Sequence, residues 1–353
     1  MKTIFLRDIS VMAAGERITI TEVAKAAGVS PGTVSRVLNH RNGESKISAA
    51  TQSRVLEAVE RLGYQPNRFA SALRTQQTGV IGTIVRDIND PFLGLLAREL
   101  QHSAHRHHVE LLLAHAENEA QTVRRQLSFM RNWFDGLLIV GDMPGDQALF
   151  DDLRATRKPF VAVACGTNSP PPLVNIDEEA ATRLALDYLY SLGHRRIGFI
   201  GNTEHAGTRE RLASFQRFIA EKDLIRHEDY IQPTPYSRKD AAASAQRLLG
   251  LASPPTAILC TADLMALGAM SGAQQIGWRV PDAVSIISFD DIEEASDVFP
   301  ALTTVRQPVG AIAEQAVHLL LRLIDQPSDE YREKRVIVQP RLMIRRSCSP
   351  AIT

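Results

Sequence analysis

The segment Ile18-Thr-Ile-Thr-Glu-Val-Ala-Lys-Ala-Ala-Gly-Val-Ser-Pro-Gly-Thr-Val-Ser-Arg-Val-Leu-Asn39 decides the fold of the first part of the chain. Thr19 precedes Glu22 by three residues, a spacing that predicts a capping box and a helix that begins there. Gly28 can adopt the positive φ that ends a helix, and Ser30 is a good N-cap for a second one. Two short helices joined by a tight turn that contains glycine predict a helix-turn-helix.

The second predicted helix has an apolar face and a polar face. Val34, Val37 and Leu38 recur at helical spacing and are predicted to face inward. The side chains predicted to face outward are those of Thr33, Ser35, Arg36 and Asn39. Hydroxyl, amide and guanidinium groups are suited to bonding base edges and phosphates in the major groove of DNA. An ordinary helical hairpin is the alternative that this pattern leaves open.

A third helix is predicted over residues 48–62, and a shorter amphipathic stretch follows it. The third helix is predicted to close the bundle through four apolar residues, Val55, Leu56, Val59 and Leu62. The stretch at residues 62–74, Leu-Gly-Tyr-Gln-Pro-Asn-Arg-Phe-Ala-Ser-Ala-Leu-Arg, is too brief to be a stable helix in isolation. We expect it to fold only on a partner.

The net charge changes sign near the end of this stretch, because basic and acidic residues are unequally distributed along the chain. Of the 40 basic and 40 acidic side chains, residues 1–77 hold 11 and 6, a net charge of +5. The remaining 276 residues hold 29 and 34, a net charge of −5. The overall neutrality is therefore a cancellation between a basic module and a mildly acidic body. Taken alone, this charge is equally consistent with a nucleic-acid partner and with a solvated basic face.

The body, beyond Gly79, alternates short apolar runs with helical stretches. In a chain of 353 residues it is long enough for two further units of ordinary domain size. Continuous apolar strands separated by helices predict parallel sheets covered on both faces. The predicted strands are residues 80–85, 109–114, 136–140, 160–164, 197–200, 257–260 and 284–288. Residues 166–174 and residues 303–308 are predicted as extended crossings.

Several classes of site and of protein lack support. Cys165, Cys260 and Cys348 are too far apart for a CxxC metal pair, so we expect reduced thiols in a cytoplasmic protein. No apolar run has the length of a signal-peptide core or of a membrane span. The patterns GxGxxG, GxSxG and the P-loop are missing, so we expect no enzyme, no catalytic residue and no cofactor. The histidine-rich run at residues 102–108 lacks a carboxylate or cysteine partner, and we expect no metal there.

Three motifs, at residues 23–30, 33–39 and 62–68, resemble those of the LacI/GalR family of bacterial transcription regulators. The resemblance extends from about Ile18 over nearly the whole chain. It implies a hinge helix, residues 67–74, in the DNA minor groove of a dimer, where Leu73 wedges a base step open. The DNA-binding residues that it implies are Thr19, Ile20, Ser30, Pro31, Gly32, Thr33, Ser35, Arg36, Asn39, Asn67, Ala70 and Leu73.

Two of these residues depart from what a base-reading position needs. Pro31 and Gly32 occupy the positions that commonly set operator preference in the family, yet neither has a hydrogen-bonding side chain. We therefore expect Thr33, Arg36 and the shape of the DNA to carry most of the sequence discrimination. The operator sequence stays open.

The same resemblance implies a core similar to periplasmic sugar-binding proteins, with a ligand cleft between two lobes. The candidate effector-binding residues are Asp90, Phe92, His205, Arg211, Tyr236, Asp263 and Asp290. Arg211 falls at the family's principal effector-binding arginine, whose fork can clamp a carboxylate or two hydroxyls. Alternatives stay open at Asp90 and Asp263, which suit a turn and a helix N-cap, and at Phe92, which suits a core. The family's frequent polar residues are replaced at Ala262 and at Ala164-Cys165, so the sugar stays unnamed.

The expected architecture is an α/β protein with an all-α head, a hinge helix and a two-lobed core built on two parallel sheets. Residues 1–17 are an extension expected to be disordered, 18–66 the helix-turn-helix domain and 67–77 the hinge. The core is 78–345, with lobe 1 at about 78–174 and 308–335, lobe 2 at about 175–303 and 336–345, and a tail at 346–353.

The expected function is that of a homodimeric, cytoplasmic repressor of transcription. It binds a palindromic operator in double-stranded DNA, and a sugar or related metabolite in the core cleft changes the affinity for DNA by linkage. The chain has no leucine heptads near its end, which favours a dimer over a tetramer. The alternatives are a solute-binding protein without a regulatory role, which the helix-turn-helix opposes, and a sugar-converting enzyme, which lacks a catalytic motif.

Overall fold

The structure is a computed structural model. It describes residues 18–39, 47–64, 77–130, 133–143, 146–156, 158–167 and 169–351. The chain divides into two compact units, residues 1–76 and residues 77–353. The predicted extension at residues 1–17 and the predicted hinge helix at residues 67–74 lie outside the described residues.

The first unit is helical throughout its described part. Its helices are α1 (Ile20–Ala27), α2 (Pro31–Asn39) and α3 (Ala49–Leu62). Helix α1 begins with the predicted capping box between Thr19 and Glu22 and ends at Gly28, whose φ of 66° is left-handed. The Ser30 hydroxyl accepts a hydrogen bond from the Thr33 amide at 3.1 Å and so caps α2. The helix-turn-helix prediction is confirmed.

A small apolar core holds these helices together. Val23, Val34 and Val55, one from each helix, are fully buried. The prediction that Leu56 closes the bundle is wrong, because its side chain is 52% exposed. Adjacent residues of an α-helix point about 100° apart, so a buried Val55 places Leu56 outside. Ala58, three residues beyond Val55, is buried instead.

The second unit is a mixed α/β structure. Its strands are β1 (Val80–Val85), β2 (Glu110–His115), β3 (Gly136–Val140), β4 (Phe160–Val163), β5 (Leu173–Ile176), β6 (Ile197–Gly201), β7 (Ile231–Pro233), β8 (Ala257–Cys260), β9 (Ser285–Asp290), β10 (Thr303–Arg306), β11 (Arg335–Val338) and β12 (Arg341–Met343). Its helices are α4 (Pro91–Arg106), α5 (Ala120–Met130), α6 (Asp146–Thr156), α7 (Glu178–Ser191), α8 (Ala206–Glu221), α9 (Arg238–Leu249), α10 (Asp263–Gln275), α11 (Glu293–Asp297), α12 (Val309–Asp325) and α13 (Asp329–Arg332).

The strands form two six-stranded sheets, one for each lobe. The sheet of lobe 1 has the order β11-β5-β4-β3-β1-β2 and is parallel throughout. The sheet of lobe 2 has the order β12-β10-β9-β8-β6-β7 and is parallel except for the antiparallel edge strand β12. Central strands such as β3 and β9 are buried along their whole length. The predicted fold class, two parallel sheets in an α/β core, is confirmed.

All seven predicted strands are present, but five further strands are not predicted. The prediction of extended crossings is partly wrong, because β5 and β10 fall in those segments and pair with their neighbours. Residues 336–338, expected in lobe 2, lie in β11 and pair with β5 of lobe 1. The expected tail packs on lobe 2, where the Ile286 amide donates to the Ser347 carbonyl at 2.8 Å.

Helices α4 and α12 pack together on lobe 1 through apolar side chains of a shared core, and a carboxylate of α12 bonds to the end of α4. Glu314 of α12 accepts hydrogen bonds from Ser103 at 2.8 Å and from Arg106 at 2.5 Å, and lies 2.9 Å from Nε2 of His107. These bonds lower the pKa of Glu314 to about 2. In the described part of the chain, no helix is long and apolar enough to cross a membrane.

Candidate functional site

The exposed face of α2 presents few but varied polar groups. The hydroxyls of Ser30 and Thr33 lie 2.9 Å apart and bond to each other, which fixes the first turn. Pro31 and Gly32 in that turn are exposed and offer no side-chain donor. Arg36 is exposed one turn later, and its Nε donates to the Gly32 carbonyl at 3.4 Å. This face therefore combines one exposed cation with hydroxyls on a short, well-capped helix.

The remaining predicted DNA-binding residues differ in how they are held. Thr19 is exposed, but its hydroxyl donates to the Glu22 carboxylate at 2.9 Å as part of the cap of α1. Hydrogen bonds from the amide and the hydroxyl of Thr19 lower the pKa of Glu22. Ile20 is half-buried against the core of the head, and Ser35 is half-buried on α2. The side chain of Asn39 and all of Asn67, Ala70 and Leu73 lie outside the described residues.

In the second unit, loops from the carboxyl ends of strands in both sheets enclose a cavity of about 60 Å³. This is where ligands bind in open α/β sheets. Six of the seven predicted effector-binding residues line it: Asp90, Phe92, His205, Arg211, Tyr236 and Asp290. Residues that sequence reasoning did not single out complete the polar lining, among them Arg86, Asp142, Asn175, Glu178 and Gln307. The structure therefore brings together side chains that lie far apart in sequence.

Asp90 links the two lobes across this cavity. Its carboxylate caps α4 by accepting from the Phe92 amide at 3.0 Å and pairs with Arg86 at 2.7 Å. From lobe 2, the Tyr236 hydroxyl donates to it at 3.1 Å. Burial raises the pKa of Asp90, although the charge of Arg86 opposes this. Asp90 is thus both the helix cap that its position before Pro91 suggests and a wall of the cavity.

Arg211, on α8, is buried and engages protein acceptors with all three of its side-chain nitrogens. Nε and Nη2 donate to the two carboxylate oxygens of Glu178 at 2.6 and 3.1 Å. Nη1 donates to the carbonyl of Thr261 at 2.6 Å. The guanidinium also lies over the Phe289 ring, 4.3 Å from its centroid. These contacts fix the orientation of the fork.

Asp290 ends β9 in a backbone conformation that is rare for a residue with a side chain, with a φ of 113°. Gln307 donates to one of its carboxylate oxygens at 2.7 Å. Burial raises the pKa of Asp290 well above its ordinary value, whereas the nearby charge of Arg211 lowers it. Strained residues of this kind cluster at binding sites because the surrounding structure must hold them there.

Asp142 of lobe 1 caps a helix of lobe 2. Its carboxylate accepts from the amides of Ala206 at 2.8 Å and Gly207 at 3.4 Å, the first residues of α8. It also accepts from the Gly166 amide at 2.6 Å. His205 holds the N-cap position of α8 without a side-chain cap. An acidic residue two positions after the predicted strand at 136–140 was the signal that could have found Asp142.

The comparisons with known proteins agree with this arrangement. The family model described as bacterial regulatory proteins, lacI family, matches residues 19–67, and that of a periplasmic binding protein-like domain matches residues 186–348. The HTH-type transcriptional repressor PurR of Aliivibrio salmonicida is 33% identical over 333 residues, 93% of this chain and 98% of that protein. The chain belongs to the lacI family of bacterial regulatory proteins.

Solved structures of the family share the fold of this regulator. A lac repressor dimer bound to operator and the anti-inducer ONPF is 26% identical with a TM-score of 0.83, over 95% of this chain and 100% of that one. A complex of the regulator CelR with cellobiose is 26% identical with a TM-score of 0.70, over 94% and 100%. The present chain is accordingly a DNA-binding regulator of transcription with an effector-binding core.

Asp263 is the predicted effector-binding residue of this regulator that does not line the cavity. It is fully buried and accepts hydrogen bonds from the Ser288 hydroxyl, the Thr304 hydroxyl at 2.6 Å and the Ile292 amide at 2.9 Å. Burial raises its pKa to about 6, although these bonds oppose the shift. Its carboxylate joins β9, β10 and the N-cap residue of α11, so the structure does not bring Asp263 into the cavity lining with the other candidates. It is not the N-cap either, because that position is Ala262.

Proposed function

We propose that this regulator binds a palindromic operator in double-stranded DNA as a homodimer and represses transcription. The observation that carries the proposal is the capped α2, whose buried valines hold Thr33 and Arg36 on the opposite face. A helix of this kind in a helix-turn-helix lies in the major groove, and a two-fold dimer then requires two inverted half-sites. The basic head, at +5, supplies the attraction to phosphate that such binding needs.

Specific contacts on DNA follow from the same helix. Arg36 reads a guanine or a phosphate, while Ser30, Thr33, Ser35 and Asn39 bond phosphates or base edges. Thr19 and Ile20 approach the backbone at the start of α1, and Asn67, Ala70 and Leu73 act in the minor groove. Because Pro31 and Gly32 lack donors, the shape of the DNA contributes to discrimination.

The effector is a sugar or a related metabolite that occupies the cavity between the lobes. Carboxylates on both sides, Asp90 and Asp290, accept from ligand hydroxyls, and Arg211 and His205 add polar contacts. Phe92 and Tyr236 supply aromatic walls, a common partner for the apolar face of a sugar ring. The CelR complex, with its cellobiose, supports this class of ligand.

Effector binding changes the affinity for operator through linkage. A ligand that contacts both lobes favours one lobe arrangement, and DNA favours one arrangement of the dimer, so each binding event changes the free energy of the other. The regulator acts in the cytoplasm and has no catalytic role, in keeping with its repressor relatives. A solute-binding protein without gene control is the second candidate, and the head argues against it.

Removing residues 1–77 separates these candidates. The shortened chain should lose all operator binding in a mobility-shift assay, since α2 is gone. It should still be stabilised in a thermal-shift assay by the same uncharged sugars as the full chain, because the cavity lies in the second unit. Retention of operator binding without the head would refute the proposal.

A further inference from the structure

Glu178 is the buried acidic residue that pairs with Arg211 in the candidate ligand site. It is the first residue of α7, two positions after the end of β5, and is only 5% exposed. Both of its carboxylate oxygens accept from Arg211, at 2.6 and 3.1 Å. Bidentate pairs of this kind are the strongest and most geometrically specific contacts of a guanidinium. The guanidinium fork of Arg211, which could otherwise clamp an acidic ligand, is therefore already paired with a carboxylate of the protein itself.

The Glu178 carboxylate also lies against the start of a helix. A Cβ added at Gly207 would lie 3.3 Å from one of its oxygens, so the carboxylate lies against the first turn of α8. Helix N-termini stabilise a nearby negative charge. The Glu178 carboxylate thus contacts both Arg211 and the first turn of α8. A ligand carboxylate that bound Arg211 would have to displace Glu178 from both contacts.

The other charges around the cavity give an incoming anion no free partner. Arg86, the second arginine of the lining, is paired with Asp90 at 2.7 Å. Beyond these two pairs, the lining holds two more carboxylates, those of Asp142 and Asp290. The two arginines are thus outnumbered by four carboxylates, a formal excess of two negative charges.

The histidine of the lining does not offset these carboxylates. Burial, with the charge of Arg86, lowers the pKa of His205 to about 4, so the imidazole adds no positive charge at neutral pH. Glu210, one turn along α8 and next to Arg211, accepts from the amide and hydroxyl of Thr167 at 2.7 and 2.8 Å. Burial, and less strongly the charges of Glu178 and Asp142, raise the pKa of Glu210. Acidic groups therefore crowd the site.

We propose that Glu178 determines the charge class of the effector: by holding the fork of Arg211, it restricts the cleft to uncharged, hydroxyl-rich ligands and excludes carboxylated or phosphorylated ones. This inference rests on the proposed role of the cleft as the effector site. Hydroxyl groups of a neutral ligand donate to the surplus carboxylates, whereas a carboxylate or phosphate meets like charge without a free cation. Juxtaposed like charges in a desolvated site cost enough to reject a ligand.

Matched sugars test the wild-type protein by calorimetric titration of the full chain. The probes are ribose with ribose 5-phosphate, and glucose with glucose 6-phosphate and glucuronate. We expect each anionic member to bind at least about tenfold more weakly than its uncharged parent, or not at all. An anionic member that binds as tightly as its parent, or more tightly, overturns the inference.

Substitution of Glu178 tests the residue itself. Glu178→Gln keeps the size of the side chain and frees Arg211 from its counter-charge, so affinity for glucuronate and inorganic phosphate should increase at least about tenfold over wild type. Glu179→Gln is the matched control, since it removes the same charge from the adjacent, exposed residue, which pairs with Arg217 at 2.9 Å outside the cavity lining; it should change anion affinity by less than about threefold. The double substitution Glu178→Gln with Arg211→Gln should lose the gain.

Two results would contradict the role of Glu178. One is a folded Glu178→Gln or Glu178→Ala chain that binds anions no better than wild type. The other is an equal gain in the Glu179→Gln control, which would assign the exclusion to net charge alone. The matched sugars decide the question if these variants do not fold. A failure of the effector proposal can be distinguished from these results. In that case sugars would bind to the cleft but would not change the affinity for operator.

Discussion

His205 shows how a single side chain can be kept neutral at the centre of a charged site. It holds the N-cap position of α8, but the amides of that turn bond to Asp142 instead. Burial, together with the nearby charge of Arg86, lowers the pKa of His205 to about 4 from an ordinary 6.5. The imidazole is therefore a neutral donor or acceptor for a ligand at physiological pH.

This pKa predicts that acid weakens the second unit. In the unfolded chain His205 binds a proton near pH 6.5, but in the folded chain only near pH 4. Between these values the unfolded state binds more protons, so folding stability decreases as the pH is lowered. The loss of melting temperature between pH 7 and pH 5 should be smaller in His205→Gln than in wild type. Equal losses, measured by differential scanning calorimetry, would show that His205 does not contribute.

Single residues of the cleft could be predicted from sequence only where they follow a recognised strand. Asp90 and Asp290 follow or end strands that apolar runs indicate, and both line the cavity. Glu178 and Gln307 follow β5 and β10, which were not recognised as strands, so they were missed. The partner of Arg211 lies 33 residues away in sequence, and such a pairing appears only once α7 and α8 are packed together.

At the scale of elements, α2 is the helix that we propose reads DNA. Its first turn is fixed by Ser30, and its apolar side chains are anchored in the head, so the position of Arg36 follows from the helix itself. Arg36 is the exposed cation of this short helix, so its contribution to DNA binding can be tested by substitution. Arg54, which is also exposed but lies on α3, serves as the control.

Replacing Arg36 by alanine should weaken binding to the operator by about 1–3 kcal/mol, roughly five- to 150-fold, and relax specificity at one base pair. Arg54→Ala removes the same charge from another helix of the head and should change the affinity only a few-fold. Fluorescence anisotropy with operator DNA and single-base variants measures both. Equal effects of the two substitutions would show that Arg36 contributes only general attraction to phosphate.

The success of strand prediction also has a physical basis. Strands such as β3 and β9 are buried on both faces, so their apolar runs are continuous and easily recognised. Edge strands β7, β11 and β12 are short and partly exposed, and they carry polar residues such as Gln232 and Arg335. Helices α1 to α3 were predictable because Thr19, Ser30 and Ser48 cap them locally.

At the scale of the whole molecule, the neutral net charge separates into a head of +5 and a remainder of −5. Helix α10 and the loop after α11 present the surface that we expect to form the dimer. Phe299 there is 90% exposed and lies beside Leu267, Met270 and Val298. A large exposed aromatic residue next to an apolar groove is typical of a protein interface.

Phe299→Glu should therefore convert the dimer to a monomer and weaken operator binding, since each half-site would then be bound singly. Phe129→Glu is the control: Phe129 is 69% exposed on lobe 1 and its ring lies tilted against that of Trp133, with ring centroids 5.4 Å apart. Sedimentation equilibrium of the full chain distinguishes the two. A dimer that survives Phe299→Glu would place the interface elsewhere.

Selection of binding sites from a pool of random-sequence duplex DNA by the full chain tests the central claim most directly. The claim is that the capped head reads DNA as part of a two-fold dimer. We predict that the selected sequences contain an inverted repeat, bound by two chains, with an affinity that falls steeply as salt increases. Selection of no common sequence, or of a single unrepeated site bound by one chain, would contradict it.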